Sequence, residues 1–207
     1  MDTAPARTAA PAKRATAGVR VWRGIIAVTA WWGLIDALDG EFAQLKYFSQ
    51  VTTLTVALAA TAGVLAAGVT GRATALAWGR GASTTYAVVT AVIYQMLLSG
   101  DLSTTSSLLE HAVVPALAAI DWVVFGPGLR QRWWLPLTWL ILPICYLGMY
   151  YNLRTSSGRP LYPFLNPDAG GRFWTWVGIM LVVFALAGFV VWAVGLLRSG
   201  WPRGRRE

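Results

Sequence analysis

Long apolar stretches alternate with short polar or basic breaks along this chain. Six runs approach the roughly 20 residues that a helix needs to cross a bilayer, at about 20–38, 47–69, 80–99, 108–126, 133–152 and 173–197. Hydrocarbon offers no water to backbone N–H and C=O groups, so each run is read as a helix that satisfies its own backbone. The expected fold class is all-α: a polytopic membrane protein built as a bundle of six transmembrane helices over 19–198. Residues 1–18, rich in Ala, Thr, Pro and basic side chains, have too little apolar surface to fold and are expected as a disordered cytoplasmic tail. A basic cytoplasmic tail is expected at 199–207. The first run does not read as a cleaved signal peptide: Trp31, Trp32 and Asp36 interrupt it, and a small-residue cleavage site is missing.

Charge placement sets the expected orientation. With six spans, one side collects Arg7, Lys13, Arg14, Arg20, Arg23, Arg72, Arg80, Arg130, Arg132, Arg198, Arg203, Arg205 and Arg206, and the other only Lys46, Arg154, Arg159 and Arg172. Basic residues beside short loops stay in the cytoplasm. A multi-pass plasma-membrane protein with both termini cytoplasmic is therefore expected, its outer loops carrying Asp39, Glu41, Asp101 and Asp168.

Composition agrees: 56% of the 207 residues are hydrophobic and 13% charged, a balance that a soluble domain of this length would not sustain. The net charge of +8 lies between and beyond the apolar runs, without aromatic interleaving on a polar face, so it reads as topology and not as a nucleic-acid footprint. Only two of the basic residues are lysines, a usage that fits a GC-rich bacterial genome. One His and one Cys make neither a disulfide nor a closed zinc site nor bis-histidine haem ligation, and neither a cofactor nor a metal is expected. Pro136 fits a helix first turn, whereas Pro115 and Pro143 lie deeper and are expected to kink their helices. Ala59, Gly63, Ala67, Ala185 and Gly188 allow close helix approach. Internal repeats, the hallmark of secondary transporters, are missing.

Candidate chemistry gathers at the outer ends of the runs. Ser49, Thr52 and Thr53 open the second run at i, i+3 and i+4, on one helix face. The structural alternative is that these hydroxyls bond their own backbone or join helices. His111 opens the fourth run, where Ser107 and Glu110 have capping-box spacing, and a helix start favours the neutral imidazole of a general base. An ordinary interfacial histidine is the alternative. Topology places Ser49, His111 and the loop Arg159–Asn166 on one side. Asp36, Asp101 and Glu110 compete as the acid that would orient His111, while Asp121, nearer the inner end, is expected to pair with Arg130 or Arg132. Tryptophans, including Trp122, fall mostly near run ends, as in an interfacial belt.

Three segments together resemble the androgen-induced membrane protein family, whose animal members are threonine-type hydrolases of fatty acid esters of hydroxy fatty acids, and its small bacterial relatives. Lys46-Tyr47-Phe48-Ser49 resembles the segment that holds the family nucleophile. His111, with Pro115 and Asp121 after it, resembles the segment of the catalytic His, and Leu161-Tyr162-Pro163-Phe164-Leu165 resembles the Tyr-Pro-Phe loop before the last helix. The likeness runs from about 20 to 197. It implies a lipid-ester hydrolase with Ser49 as nucleophile and His111 as base, working on lipid in the outer half of the membrane. Serine stands where the family has threonine, which keeps the hydroxyl. Thr52 and Thr53 are fallback nucleophiles, Tyr162 and Phe164 would line the lipid entrance, and Asn152 is a candidate oxyanion donor. The rival expectation is a non-catalytic scaffold or small carrier in which Ser49 and His111 only pack helices.

Overall fold

The computed structural model describes residues 17–66, 73–127, 131–157 and 160–200, which are helical with no strand among them. The helices are α1 (Ala17–Leu38), α2 (Phe48–Leu65), α3 (Ala73–Leu97), α4 (Thr105–Phe125), α5 (Ile141–Ser157) and α6 (Gly171–Gly200). They follow the six apolar runs in order. Ala17–Leu38, Phe48–Leu65, Thr105–Phe125 and Gly171–Leu197 are long and apolar enough to cross a membrane. Most of the two expected tails lies outside the described residues, but α1 already begins at Ala17 and α6 continues to Gly200.

Residue distribution is inverted relative to a water-soluble bundle. Val21, Ile25, Val28, Trp32 and Ile35 form an apolar stripe along α1, each at least half exposed. Val182, Leu186 and Val190 do the same on α6. Hydroxyls and charges turn inward instead: Thr52, Thr53, Ser83, Thr84, Thr85, Arg80, Glu110 and Asp121 are buried. Large exposed apolar faces signal a non-aqueous neighbour.

α2 packs between α1 and α3, and α3 also touches α4 and α6. Gly33 lets α1 approach α4 closely, since a Cβ there would lie 2.9 Å from Leu109 Cβ. α5 meets the rest of the bundle mainly through large aromatic side chains: Tyr150 is buried with Phe173 and Val177 of α6, and Tyr146 packs at the edge of that cluster. Wide side chains hold α5 off the other helices, and the gap becomes the cavity described below.

The prolines act as helix interrupters in different ways. The fifth run is split into a short turn, Leu135–Thr138, and α5 proper, so both Pro136 and Pro143 occupy first turns. Pro143 has no N–H for the Trp139 carbonyl four residues earlier, and the Tyr86 hydroxyl donates to that oxygen at 2.6 Å instead. Pro115 produces a wide turn and not a simple kink: Leu109–Val113 is a π-helix, with Val114 N–H bonded to Leu109 C=O. An α-turn would drive the Pro115 ring against the His111 carbonyl, and the extra residue per turn relieves that clash.

Asp121 pairs with Arg80 and Arg23 and not with Arg132, one of its two expected partners; the other, Arg130, lies outside the described residues. Arg80 Nε donates to Asp121 Oδ2 at 2.8 Å and its Nη1 to the Gly126 carbonyl at 3.1 Å. Sequence proximity favoured the residues beyond α4; packing chose arginines one helix over, where α1 and α3 flank α4. Trp122, expected in the belt, is 1% exposed, and its indole donates to Val191 C=O of α6 at 2.6 Å. Replacing one partner of a buried ion pair strands the other, at a cost of about 3–5 kcal/mol. Asp121→Asn is therefore expected to lower the thermal unfolding midpoint in detergent sharply, read by circular dichroism; a midpoint unchanged from the parent would remove the triad from the account of stability.

Candidate active site

The site is built around the start of α2. Tyr47 occupies the N-cap position with extended backbone and provides no side-chain cap, so the first amides of α2 need other partners. One partner comes from far along the chain: Phe48 N–H donates to the Tyr162 hydroxyl at 2.8 Å. The Tyr146 hydroxyl of α5 donates to the Lys46 carbonyl at 2.5 Å and stands 3.3 Å from the Tyr162 hydroxyl. Tyr150 donates to Leu165 C=O at 2.6 Å. Three tyrosines thus fasten α5, the loop before α6 and the start of α2 to one another. Burial holds the Tyr162 phenol above its ordinary pKa, so it remains a neutral hydroxyl able to accept from Phe48 and donate onward. The Phe48 ring meets Tyr146 at 4.8 Å and Phe184 at 5.5 Å, both edge-on.

Behind this junction lies a cavity of about 500 Å³ between α2, α3, α4, α5, α6 and the 161–165 loop. Ile93, Leu98, Pro143, Leu147, Val177, Met180, Leu181 and Phe184 give it an apolar wall. Ser49, Ser106, Ser107, Glu110 and His111 supply polar groups, and Tyr162 and Phe164 line it from the loop. Three segments far apart in sequence, carrying Ser49, His111 and Tyr162–Phe164, therefore border one volume.

Within that wall His111 is held by stacking. Its ring lies on Tyr94 at 3.6 Å between centroids and 3° between planes. The Tyr94 hydroxyl donates to Asp101 C=O at 2.6 Å and lies 3.0 Å from Ser107 Oγ, so the α3–α4 connection fixes the platform on which the imidazole rests. Gly100, with φ of +63°, makes the reversal that returns this connection toward Tyr94. His111 Nδ1 is buried without a hydrogen-bond partner.

Glu110 is 5% exposed, and its Oε1 likewise has no partner. The Ser49 hydroxyl and the Asp36 carboxyl are the side chains that act on it electrostatically. Glu110 and His111 thus face the same cavity as Ser49, His111 from its stack on Tyr94.

The expected capping box does not form. Helix α4 starts at Thr105, Thr104 caps it by accepting from Ser107 N–H at 3.2 Å, and the Ser107 hydroxyl turns to Asp101 C=O. Glu110 and His111 consequently sit in the π turn and not in the first turn, one turn deeper than the spacing predicted.

Other candidates fall away from the cavity. Thr52 and Thr53 are each 2% exposed, and Thr52 donates back to Ser49 C=O at 2.8 Å, the local bonding weighed as the alternative. Asp36 is exposed at the end of α1. The Asp101 carboxylate accepts Ser103 N–H at 2.9 Å, which holds its pKa below the usual value, and it addresses its own loop. Asn152 is exposed and donates to Gly148 C=O at 2.8 Å. Sequence reasoning missed Tyr94 and Tyr146: each sits inside an apolar run, where nothing in the pattern separates a functional phenol from a packing one. Among the described residues, no group of three or more His, Cys, Asp or Glu side chains converges as metal ligands would.

Tyr162→Phe keeps the ring and removes the acceptor of Phe48 N–H. It is expected to cost about 1 kcal/mol and to speed proteolysis of the 161–165 loop, whereas Phe164→Leu should leave the cleavage rate nearly unchanged. Equal cleavage of parent and Tyr162→Phe would show that the hydroxyl does not pin the loop. No family model, no curated protein and no solved structure matches this chain.

Proposed function

We propose that this protein is a multi-pass protein of the plasma membrane, both termini cytoplasmic, that hydrolyses a lipid ester near the outer interface. Support for the membrane placement comes from the exposed apolar stripes of α1 and α6 and from the one-sided distribution of arginines. Support for the chemistry rests on one observation above all: Ser49 and His111, on different helices, line one largely apolar cavity with Tyr162 and Phe164.

A cavity of about 500 Å³ is in the size range of ligand sites, with a long apolar wall and a few convergent polar groups. In this reading the alkyl part of the ester lies along Leu147, Val177 and Leu181, which carries its carbonyl to the polar end at Ser49. The Ser49 oxygen adds to that carbonyl, the alcohol leaves, and water releases the acyl group. His111 is the imidazole that faces the reacting ester, able to pass a proton to the leaving alcohol and to take one from the incoming water. The resemblance to the androgen-induced membrane protein family points to the same pair of residues.

Fluorophosphonate labelling of the detergent-solubilised protein tests this reading, because an unactivated hydroxyl reacts poorly with such reagents. Labelling of the parent and its loss in Ser49→Ala are the expected outcome, with His111→Ala strongly slowed. A folded parent that takes up no label would favour the rival scaffold or carrier.

A further inference from the structure

We propose that Glu110 is the residue that takes the Ser49 proton, so that the nucleophile is a Ser–Glu pair and His111 serves the substrate side of the cavity. This inference rests on the Ser49 hydrolase reading and assigns a role that the family resemblance does not supply. Three observations carry it. Ser49 and Glu110 border the same cavity and the Ser49 hydroxyl acts on the Glu110 carboxyl, whereas His111 is held by its stack on Tyr94. Glu110 borders the cavity while 5% exposed, with Oε1 unpartnered, so one carboxyl oxygen is left over for chemistry. The π turn imposed by Pro115 carries both Glu110 and His111, which sets the carboxyl and the imidazole side by side in the chain at the same wall.

The proton balance closes with these groups alone. In acylation the Ser49 Oγ–H proton moves to the Glu110 carboxylate as the Oγ–C bond forms. The C–O bond to the alcohol then breaks, and the proton on Glu110 passes through the neutral imidazole of His111 to the alkoxide. In deacylation water adds to the acyl carbon and its proton travels back through His111 to Glu110. The Ser49 oxygen leaves the carbon and recovers that proton, which restores every group to its starting state. A carboxylate suits this position because a general base must reach the proton it removes, directly or through one water.

The test is the rate of fluorophosphonate labelling in four proteins: the parent, Glu110→Gln, Glu110→Asp and Glu110→Ala with and without added formate. Thermal unfolding in the same detergent verifies that each is folded. Loss of a general base slows the reaction by about 10²- to 10⁴-fold, and that is the expectation for Glu110→Gln. Glu110→Asp should retain part of the rate, and formate should raise the rate of Glu110→Ala, a rescue that a merely structural carboxyl would not give. If Glu110→Gln misfolds, formate rescue of the alanine variant and the aspartate rate decide alone. A parent that labels at Ser49 while Glu110→Gln keeps its rate within about threefold would overturn the role of Glu110 and leave the hydrolase reading standing, since effects this small lie below those of general-base loss. Failure of the parent itself to label overturns both.

Discussion

Each interruption of a helix frees backbone groups that the apolar surroundings cannot hydrate, and the fold meets that constraint with aromatic donors and acceptors. Trp139 C=O, released by Pro143, takes the Tyr86 hydroxyl; Phe48 N–H, exposed where α2 begins, takes the Tyr162 hydroxyl. Lys46 C=O and Leu165 C=O, where short turns end, are met by Tyr146 and Tyr150. An unpaired backbone group costs far more in an apolar medium than in water. These rings therefore both fill space and decide where helices are allowed to break. Because they are wide, they also keep α5 at a distance, and the cavity is the space that this distance leaves.

The position of Ser49 follows from the same constraint. It is the residue after Phe48, whose amide is anchored across the molecule to Tyr162, and the anchor fixes the first turn of α2 against the loop that roofs the cavity. On α4, Pro115 forces the π turn that holds Glu110 and His111, and Tyr94 supports the imidazole from α3. Strain relief at a proline and capping at a helix start thereby set the positions of the polar groups in an otherwise apolar chamber. Such chambers strengthen electrostatic interactions because little water competes.

Much of this was legible in the sequence and the remainder was not, for definable reasons. The six apolar runs give the six helices in order because segment length and hydropathy are local properties. The shared wall of Ser49, His111, Tyr162 and Phe164 follows from topological parity, since α2 and α4 begin at the end of the bundle where the 161–165 loop also lies. Partner choice was less accessible. Asp121 selects Arg23 and Arg80 over the nearer-in-sequence Arg132, and that choice depends on which helices pack together. The Ser107–Glu110 spacing fits a capping box, yet Thr104 takes the cap because the loop brings Asp101 C=O within reach of the Ser107 hydroxyl. Two short polar motifs competed for one helix end, and the outcome turned on a loop conformation that spacing does not encode.

The two buried carboxyls of α4 make an instructive contrast. Asp121 has two arginines, a bond from Arg80 to its own backbone carbonyl, and a place where α1 and α3 converge on α4, so its charge is paired although its Oδ1, 3.5 Å from Arg23 Nε, also lacks a hydrogen bond. Glu110, on the same helix, has no ion pair among the described residues, one oxygen without a partner, and another acid, Asp36, acting on it. The fold evidently has the means to neutralise a buried acid and does so at one end of α4 only. A buried carboxyl without an ionic partner beside an open cavity is the kind of group that the proposed chemistry would use. The asymmetry between Asp121 and Glu110, more than the presence of a histidine, distinguishes the end of the bundle where chemistry is assigned from the end that holds the helices together.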